Sequence, residues 1–453
     1  MCSLRRASMV VMASGVMIWA AGALGQTNDK VNAGIQFNFS SPGARSLAFG
    51  GAFVALADDA TAAFTNPAGL TNLSLPEVAF EVRSWDYTTT FVDRGNASGV
   101  ATGGANCANG VGDCIGGVVL GESSKSASGL SFVSMVYPRG KWAVAVYRQE
   151  LARFRASFAD QGIFYDTGSV QTNPGRYFPL TASMKLDIVN FGVSGALRVS
   201  EYFSLGLGVS YYDLGLDSIT RRYNTSGTDP FGPGGRFGVP DYSPGNVRNY
   251  IAQKGDDTSF GVNLGFLFRA TDSLSIGAVY RQGPKFDCTS SAFRVSPVGA
   301  TEVVKTSLHV PDVLGAGFAY RLADRATLSL EYDRVRYSQL TDDMKDAFGN
   351  PAIDVDKYVV DDGNELHIGF EYLFLSSKVI VPVRLGAWRD PDHKIRYDGQ
   401  FPEERAYFRG GDDQVHYTAG VGLVVGTPFE LDIAYDHSDT VKTASISAVL
   451  RFK

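Results

Sequence analysis

Residues 365–374 read Glu-Leu-His-Ile-Gly-Phe-Glu-Tyr-Leu-Phe. Leu366, Ile368, Phe370, Tyr372 and Phe374 share one parity, and Glu365, His367, Gly369 and Glu371 share the other. A period of two places the two sets on opposite faces of a strand. The same alternation recurs at Phe203, Leu205, Leu207, Val209 and Tyr211, and at Phe260, Val262, Leu264, Phe266 and Phe268. It returns at Leu328, Leu330 and Tyr332, at Phe429, Leu431, Ile433 and Tyr435, and from Ala444 to Phe452. Many of these runs extend for about ten residues, the length a tilted strand needs to cross a bilayer's hydrocarbon. Aromatics near the run ends suit the two interfaces. A soluble sandwich also alternates, but with shorter runs.

The links between runs alternate in length. Short turns fall at Pro138-Arg139-Gly140, Val199-Ser200-Glu201, Ala270-Thr271-Asp272, Ala323-Asp324, Ser376-Ser377 and Gly426-Thr427-Pro428. Long links rich in Gly and Asp fall near residues 95–127, 153–181, 221–257, 288–303, 339–363 and 391–412, with a tight last one at His437-Ser438-Asp439. Six short turns and seven outer links separate fourteen strands. Short turns on one side and long loops on the other describe an up-and-down, all-β, antiparallel transmembrane β-barrel. Closure follows from the solvent, because an open edge in hydrocarbon leaves backbone groups unpaired at several kcal/mol each. One strand changes parity: Leu186 and Ile188 are even, whereas Phe191, Val193, Leu197 and Val199 are odd. That change predicts a β-bulge near Val189-Asn190.

Composition agrees. The 453 residues include 51 Gly, 29 Phe and 21 Tyr, and only 19% are charged. A mean hydropathy of -0.04 excludes a bundle of apolar helices. The net charge of -6 offers no basic excess for a nucleic-acid partner. Arg5 and Arg6 precede an apolar stretch from Met9 to Ala23, closed by Ala23-Leu24-Gly25. This is the layout of a secretory signal peptide over residues 1–25, with the mature chain starting near Gln26.

Residues 33–70 do not alternate. They are rich in Gly and Ala, and Asp58 or Asp59 could cap a short helical turn through Phe64 that Asn66-Pro67 ends. A barrel of fourteen strands has a lumen its own side chains cannot fill. Residues 26–75 are therefore expected to form a hatch, a plug inside the lumen, with the barrel proper over 76–453.

This segment resembles the hatch of the FadL/TodX family of outer-membrane transporters of long-chain fatty acids and hydrocarbons. The resemblance rests on Ala33-Gly34, Ser40-Ser41-Pro42-Gly43-Ala44-Arg45, Gly50-Gly51-Ala52, Ala57-Asp58-Asp59-Ala60 and Asn66-Pro67-Ala68. His309-Val310-Pro311-Asp312 and Glu331-Tyr332-Asp333 are similar to that family's late strands. The resemblance runs from about residue 33 to the C-terminus. It implies fourteen strands, a plug in the lumen, a cell outer-membrane location and a hydrophobic pocket. It also implies passive transport with sideways release through a wall gap at a kink in the third strand. The gating and ligand-binding residues it implies are Asn66, Pro67 and Ala68, with Ile35, Phe37 and Phe39 on the run that reaches the pocket. Ile35 stands where the family has an aromatic residue. The implied partners are outer-membrane lipid and small hydrophobic molecules. Some fourteen-strand relatives, the PorV-like group, serve protein secretion without transporting, and the hatch run fits them nearly as well. A general porin is a third reading.

Other constellations carry less. Cys107 and Cys114 share the first long loop, and an oxidising compartment favours their pairing. No Cys or His cluster suggests a metal, no nucleophile motif suggests an enzyme, and no cofactor is expected. Glu331, Asp333, Glu371, Arg384, Glu430, Asp432 and Arg451 face inward by parity, as do His367 and His416. Paired charges across the lumen account for them.

Overall fold

The computed structural model describes residues 34–99, 101, 114–165, 175–225, 238–294, 302–342, 355–426 and 428–452. Its wall has fourteen strands. They are β1 Glu77–Asn96, β2 Gly117–Arg139, β3 Trp142–Asp160, β4 Leu180–Arg198, β5 Phe203–Tyr223 and β6 Val247–Arg269. β7 comprises Leu274–Arg281 and Lys285–Arg294, and β8 comprises Glu302–His309 and Val313–Ala323. β9 Ala326–Val335, β10 Gly363–Leu375, β11 Val379–Asp390, β12 Gln414–Val425, β13 Phe429–His437 and β14 Val441–Arg451 complete it. Each strand pairs antiparallel with the next, and β14 returns to β1 through Arg451↔Glu77 to Val441↔Tyr87. The sheet is thereby closed into a barrel.

The pleat does what the alternation predicts. Along β10, Glu365, His367 and Glu371 are buried, while Leu366, Ile368 and Phe374 are exposed. Exposed apolar side chains ring the wall at Val144, Val146, Val193, Leu207, Leu264, Leu385, Val421 and Ile446. Facing hydrocarbon rather than water, this belt is the favoured arrangement. β1 to β6 run to about twenty residues, so their outer halves stand above a hydrocarbon layer that about ten residues cross. β7 and β8 break where Pro284 and Pro311, which lack an N–H, interrupt the ladder.

β4 corrects one expectation. It contains no bulge at Val189-Asn190: its even residues stay inward from Leu180 to Ala196, and its pairing with β5 is unbroken. The apolar parity changes because the surroundings change. Leu186 and Ile188 line an apolar stretch of lumen, whereas Phe191, Val193 and Leu197 face lipid. The bulge lies on the neighbouring β3, between Glu150 and Ala152.

β3 also leaves β2. The two pair only from Phe132↔Gln149 to Arg139↔Trp142, eight rungs. Beyond them, residues 117–131 of β2 pair with β1 alone, and residues 150–160 of β3 pair with β4 alone. Eight rungs at about 3.3 Å and about 40° of tilt rise roughly 20 Å, so the strands part in the outer leaflet. The continuation of β3, Gly162–Phe164, meets β1 in parallel at Arg94–Asn96, on the edge β2 does not use.

The hatch fills the lumen at the short-turn end. Its regular pieces are α1 Ala44–Ala48, α2 Ala62–Thr65 and a 3-10 helix at Pro67–Asn72. α2 starts later than the sequence suggests: Asp59 accepts from the backbone and hydroxyl of Thr61 instead of capping a longer turn. It stops at Asn66, which is extended ahead of Pro67.

Candidate functional site

The hatch is seated by wall side chains and by wall glycines. Asn66 is fully buried; its Nδ2 donates to Val54 O (2.9 Å) and to Phe266 O on β6 (3.0 Å), and its Oδ1 accepts from Ala68 N (3.1 Å). One amide thus closes the turn, ties two hatch segments together and fastens both to the wall. Pro67 and Ala68 lie against Gly206 and Gly265, where a Cβ would come within 2.2 Å of Ala68 N and 2.3 Å of Asn66 Oδ1. Ser134 and Ser194 donate to Ala60 O and Ala63 O, and Thr418 to Ala48 O. Glu331 accepts from Val54 N at 2.7 Å.

The inward charges form paired layers, as parity leads one to expect. Arg384, 1% exposed, meets Glu371 at 2.7 Å, Glu430 at 3.7 Å and Asp432. Arg451 joins Glu77 to Glu430. Arg45 of the hatch reaches Asp58 at 2.6 Å, Asp59 at 3.3 Å and Glu371 at 3.9 Å, so plug and wall share one charge network. Burial raises the Asp59 carboxyl above its ordinary range, against the opposing pull of Arg45.

Above the charges the lumen turns apolar. Leu151, Phe154 and Phe158 of β3, Leu180 to Ile188 of β4, and Tyr212 to Leu216 of β5 belong to one buried cluster. Ile35 is 2% exposed in that cluster, and Phe37 and Phe39 pack against it with their rings stacked 5.6 Å apart. Asn38 N donates to Leu151 O at 2.8 Å, tying the hatch's leading run to the bulged residue of β3. Ile35, Phe37 and Phe39 thus sit together beside the bulge, whereas Asn66, Pro67 and Ala68 lie apart, at the short-turn end. Cys107 lies outside the described residues, and with it the expected pairing to Cys114.

Where β2 and β3 part, side chains replace the ladder. Arg153 donates to Ser128 O at 2.9 Å, Arg148 to Leu130 O, and Ser123 to Ser157 O at 2.6 Å. Glu150, fully buried, holds both guanidiniums. Gly129 leaves room for the Arg153 head, which a Cβ there would meet at 2.8 Å.

Sequence reasoning missed a cavity beside Phe37 and Phe39. Its volume is about 70 Å³. His367, His393 and His416 stand in its wall, with Trp388 stacked between the first and the last and Tyr337 stacked on His393. His393 sits in the outer link after β11. Burial would lower its pKa, but Asp390 at 3.4 Å and the Pro391 carbonyl outweigh burial and raise it to about 9. Parity placed His367 and His416 inward, where both are buried; no periodic signal marks His393.

A plugged, closed barrel with a lipid-facing belt defines the class: an outer-membrane transport channel. Residues 25–373 match the family described as outer membrane protein transport protein (OMPP1/FadL/TodX), and the chain belongs to that family. The fold is shared with a Pseudomonas aeruginosa FadL homologue (15% identity, TM-score 0.59, 92% of this chain and 99% of that one). It is shared too with the Ralstonia pickettii toluene transporter TbuX (18%, 0.55, 92% and 100%) and the CymD monoaromatic hydrocarbon channel (14%, 0.55, 92% and 99%). No curated protein matches the chain.

Proposed function

We propose that the protein carries hydrophobic molecules passively across the outer membrane, long-chain fatty acids or hydrocarbons among them, and releases them sideways between β2 and β3. On this reading residues 1–25 are a signal peptide, and the mature chain begins near Gln26. Each CH₂ leaving water for an apolar lumen gains about 0.8 kcal/mol, so capture needs little specific chemistry. Release is the harder step. The observation that carries the reading is the parted seam: residues 117–131 and 150–160 lack a common ladder beside the apolar lumen. The Asn38–Leu151 bond supports coupling, since a ligand that shifts the leading run pulls on the bulge. Ile35, Phe37 and Phe39 are the proposed ligand contacts, and Asn66, Pro67 and Ala68 the proposed plug anchor.

The test is a staple across the seam. Ser123→Cys with Ser157→Cys joins positions already in contact through the Ser123 hydroxyl. In cells lacking the native copy, uptake of labelled oleate or toluene should fall to background once the disulfide forms, and recover on reduction. Undiminished uptake with the staple closed rules out this exit.

A further inference from the structure

The cavity beside Phe37 and Phe39 holds three of the chain's five histidines, yet every described basic side chain in its wall already has an acidic or carbonyl partner. His367 meets Glu365 (3.3 Å) and Gly50 O (2.7 Å). His393 meets Asp390 and Pro391 O, and His416 meets Asp436 at 2.8 Å. Arg83 is shared among Glu81, Asn38, Ser40 and Ser41 O. The carboxylates are equally committed: Tyr337 donates to Glu365 and Trp388 to Asp436. An ionised ligand would enter a closed set of pairs as an unmatched charge, next to three carboxylates. Burying such a charge is strongly unfavourable.

Two buried polar atoms among the described residues of this wall lack a hydrogen-bond partner: Asp390 Oδ1, which has the ion-pair contact to His393 at 3.4 Å, and His416 Nε2, which has nothing. His416 is 3% exposed, and its Nε2 is buried without a hydrogen-bond partner. With its Nδ1–H given to Asp436, the neutral ring presents the Nε2 lone pair as an acceptor. Buried polar atoms of this kind are rare and call for a partner. The rest of the lining is half aromatic, with Phe37, Phe39, Trp85, Tyr87, Tyr337 and Trp388, beside the polar Gln36, Asn38, Ser40 and Thr443. We propose that this cavity recognises an uncharged apolar molecule bearing a hydroxyl, which donates to His416 Nε2, and that it rejects the ionised carboxylate of the same skeleton. The inference rests on the uptake reading and narrows its substrate class.

The experiment is calorimetric titration of the detergent-extracted protein at pH 7.5 with 4-ethylphenol, ethylbenzene and 4-ethylbenzoate, each corrected for partition into empty micelles. One neutral hydrogen bond predicts phenol binding about five- to tenfold tighter than ethylbenzene. The benzoate should bind at least about tenfold more weakly than ethylbenzene. His416→Phe also removes the bond to Asp436, so the reading is the ratio of phenol to ethylbenzene affinity within the variant, which should fall to about one. Benzoate binding as tight as phenol overturns the proposal, as does a phenol preference that survives His416→Phe. Ethylbenzene binding as well as phenol to the unaltered protein overturns it too, while leaving the uptake reading intact. If none of the three binds, the apolar-lumen reading fails and this inference falls with it. The ligand series on the unaltered chain decides even if the variant does not fold.

Discussion

Replacing Asn66 with alanine removes three buried hydrogen bonds at once: those to Val54 O and Phe266 O, and the one from Ala68 N. At about 1 kcal/mol net each, the seat of the hatch loses about 3 kcal/mol. Since 1.4 kcal/mol is a factor of ten, the population with residues 62–73 undocked should rise roughly 100-fold. The wall keeps its own ladder, so its stability should change little. Hydrogen exchange followed by mass spectrometry on the detergent-extracted protein reads both effects separately. Peptides covering residues 62–73 should lose about two decades of protection, while strand peptides keep theirs. Asn66→Asp should be worse than Asn66→Ala. It sets a carboxylate oxygen against two carbonyl oxygens and buries a charge with only the Ala68 N–H to answer it. Unchanged protection in Asn66→Ala, or an aspartate tolerated better than alanine, would refute this account of how the plug is held.

Gly206→Val should unseat the same segment from the other side, because its Cβ would fall within 2.2 Å of Ala68 N; ion conductance in planar bilayers should rise while the strands stay paired. Arg384→Met should cost about 3–5 kcal/mol by leaving Asp432 buried without a cation and Glu371 with only the longer contact to Arg45. Urea unfolding in detergent measures that loss, and adding Glu371→Gln with Asp432→Asn should recover part of it. The His393–Asp390 pair steadies the outer link 391–412 most fully below the unfolded histidine's ordinary 6.5. Because the folded pKa is raised, that contribution is lost as pH climbs through about 9. Limited proteolysis of the link should therefore speed up between pH 7 and 10, and His393→Asn should flatten the profile.

Much of this architecture could be read from side-chain order. A barrel in lipid must alternate, must turn tightly on one side and must pair its inward charges, and each demand leaves a local trace. Glu371, Arg384, Asp432 and Arg451 were placed inward by parity alone. β4 shows where that reasoning stops. A switch of apolar parity looks like a bulge, but a change from lumen-lining to lipid-facing surroundings writes the same pattern. The seam left no trace either, because whether Ser128 meets a strand or a guanidinium depends on a residue 25 positions away. The three histidines likewise come from two strands and a loop. Only Glu365 and His367, two apart on one strand, were neighbours that the sequence could have paired.

The double grip on the upper end of β1 has a mechanical consequence. With β2 on one edge and Gly162–Phe164 on the other, the continuation of β3 is tied back to β1 above the parted strands. On the exit route proposed above, that tie would act as a lintel: strands parting to let cargo through could not unzip to the rim, and lateral pressure from the lipid would fall on the tie rather than on the ladder below.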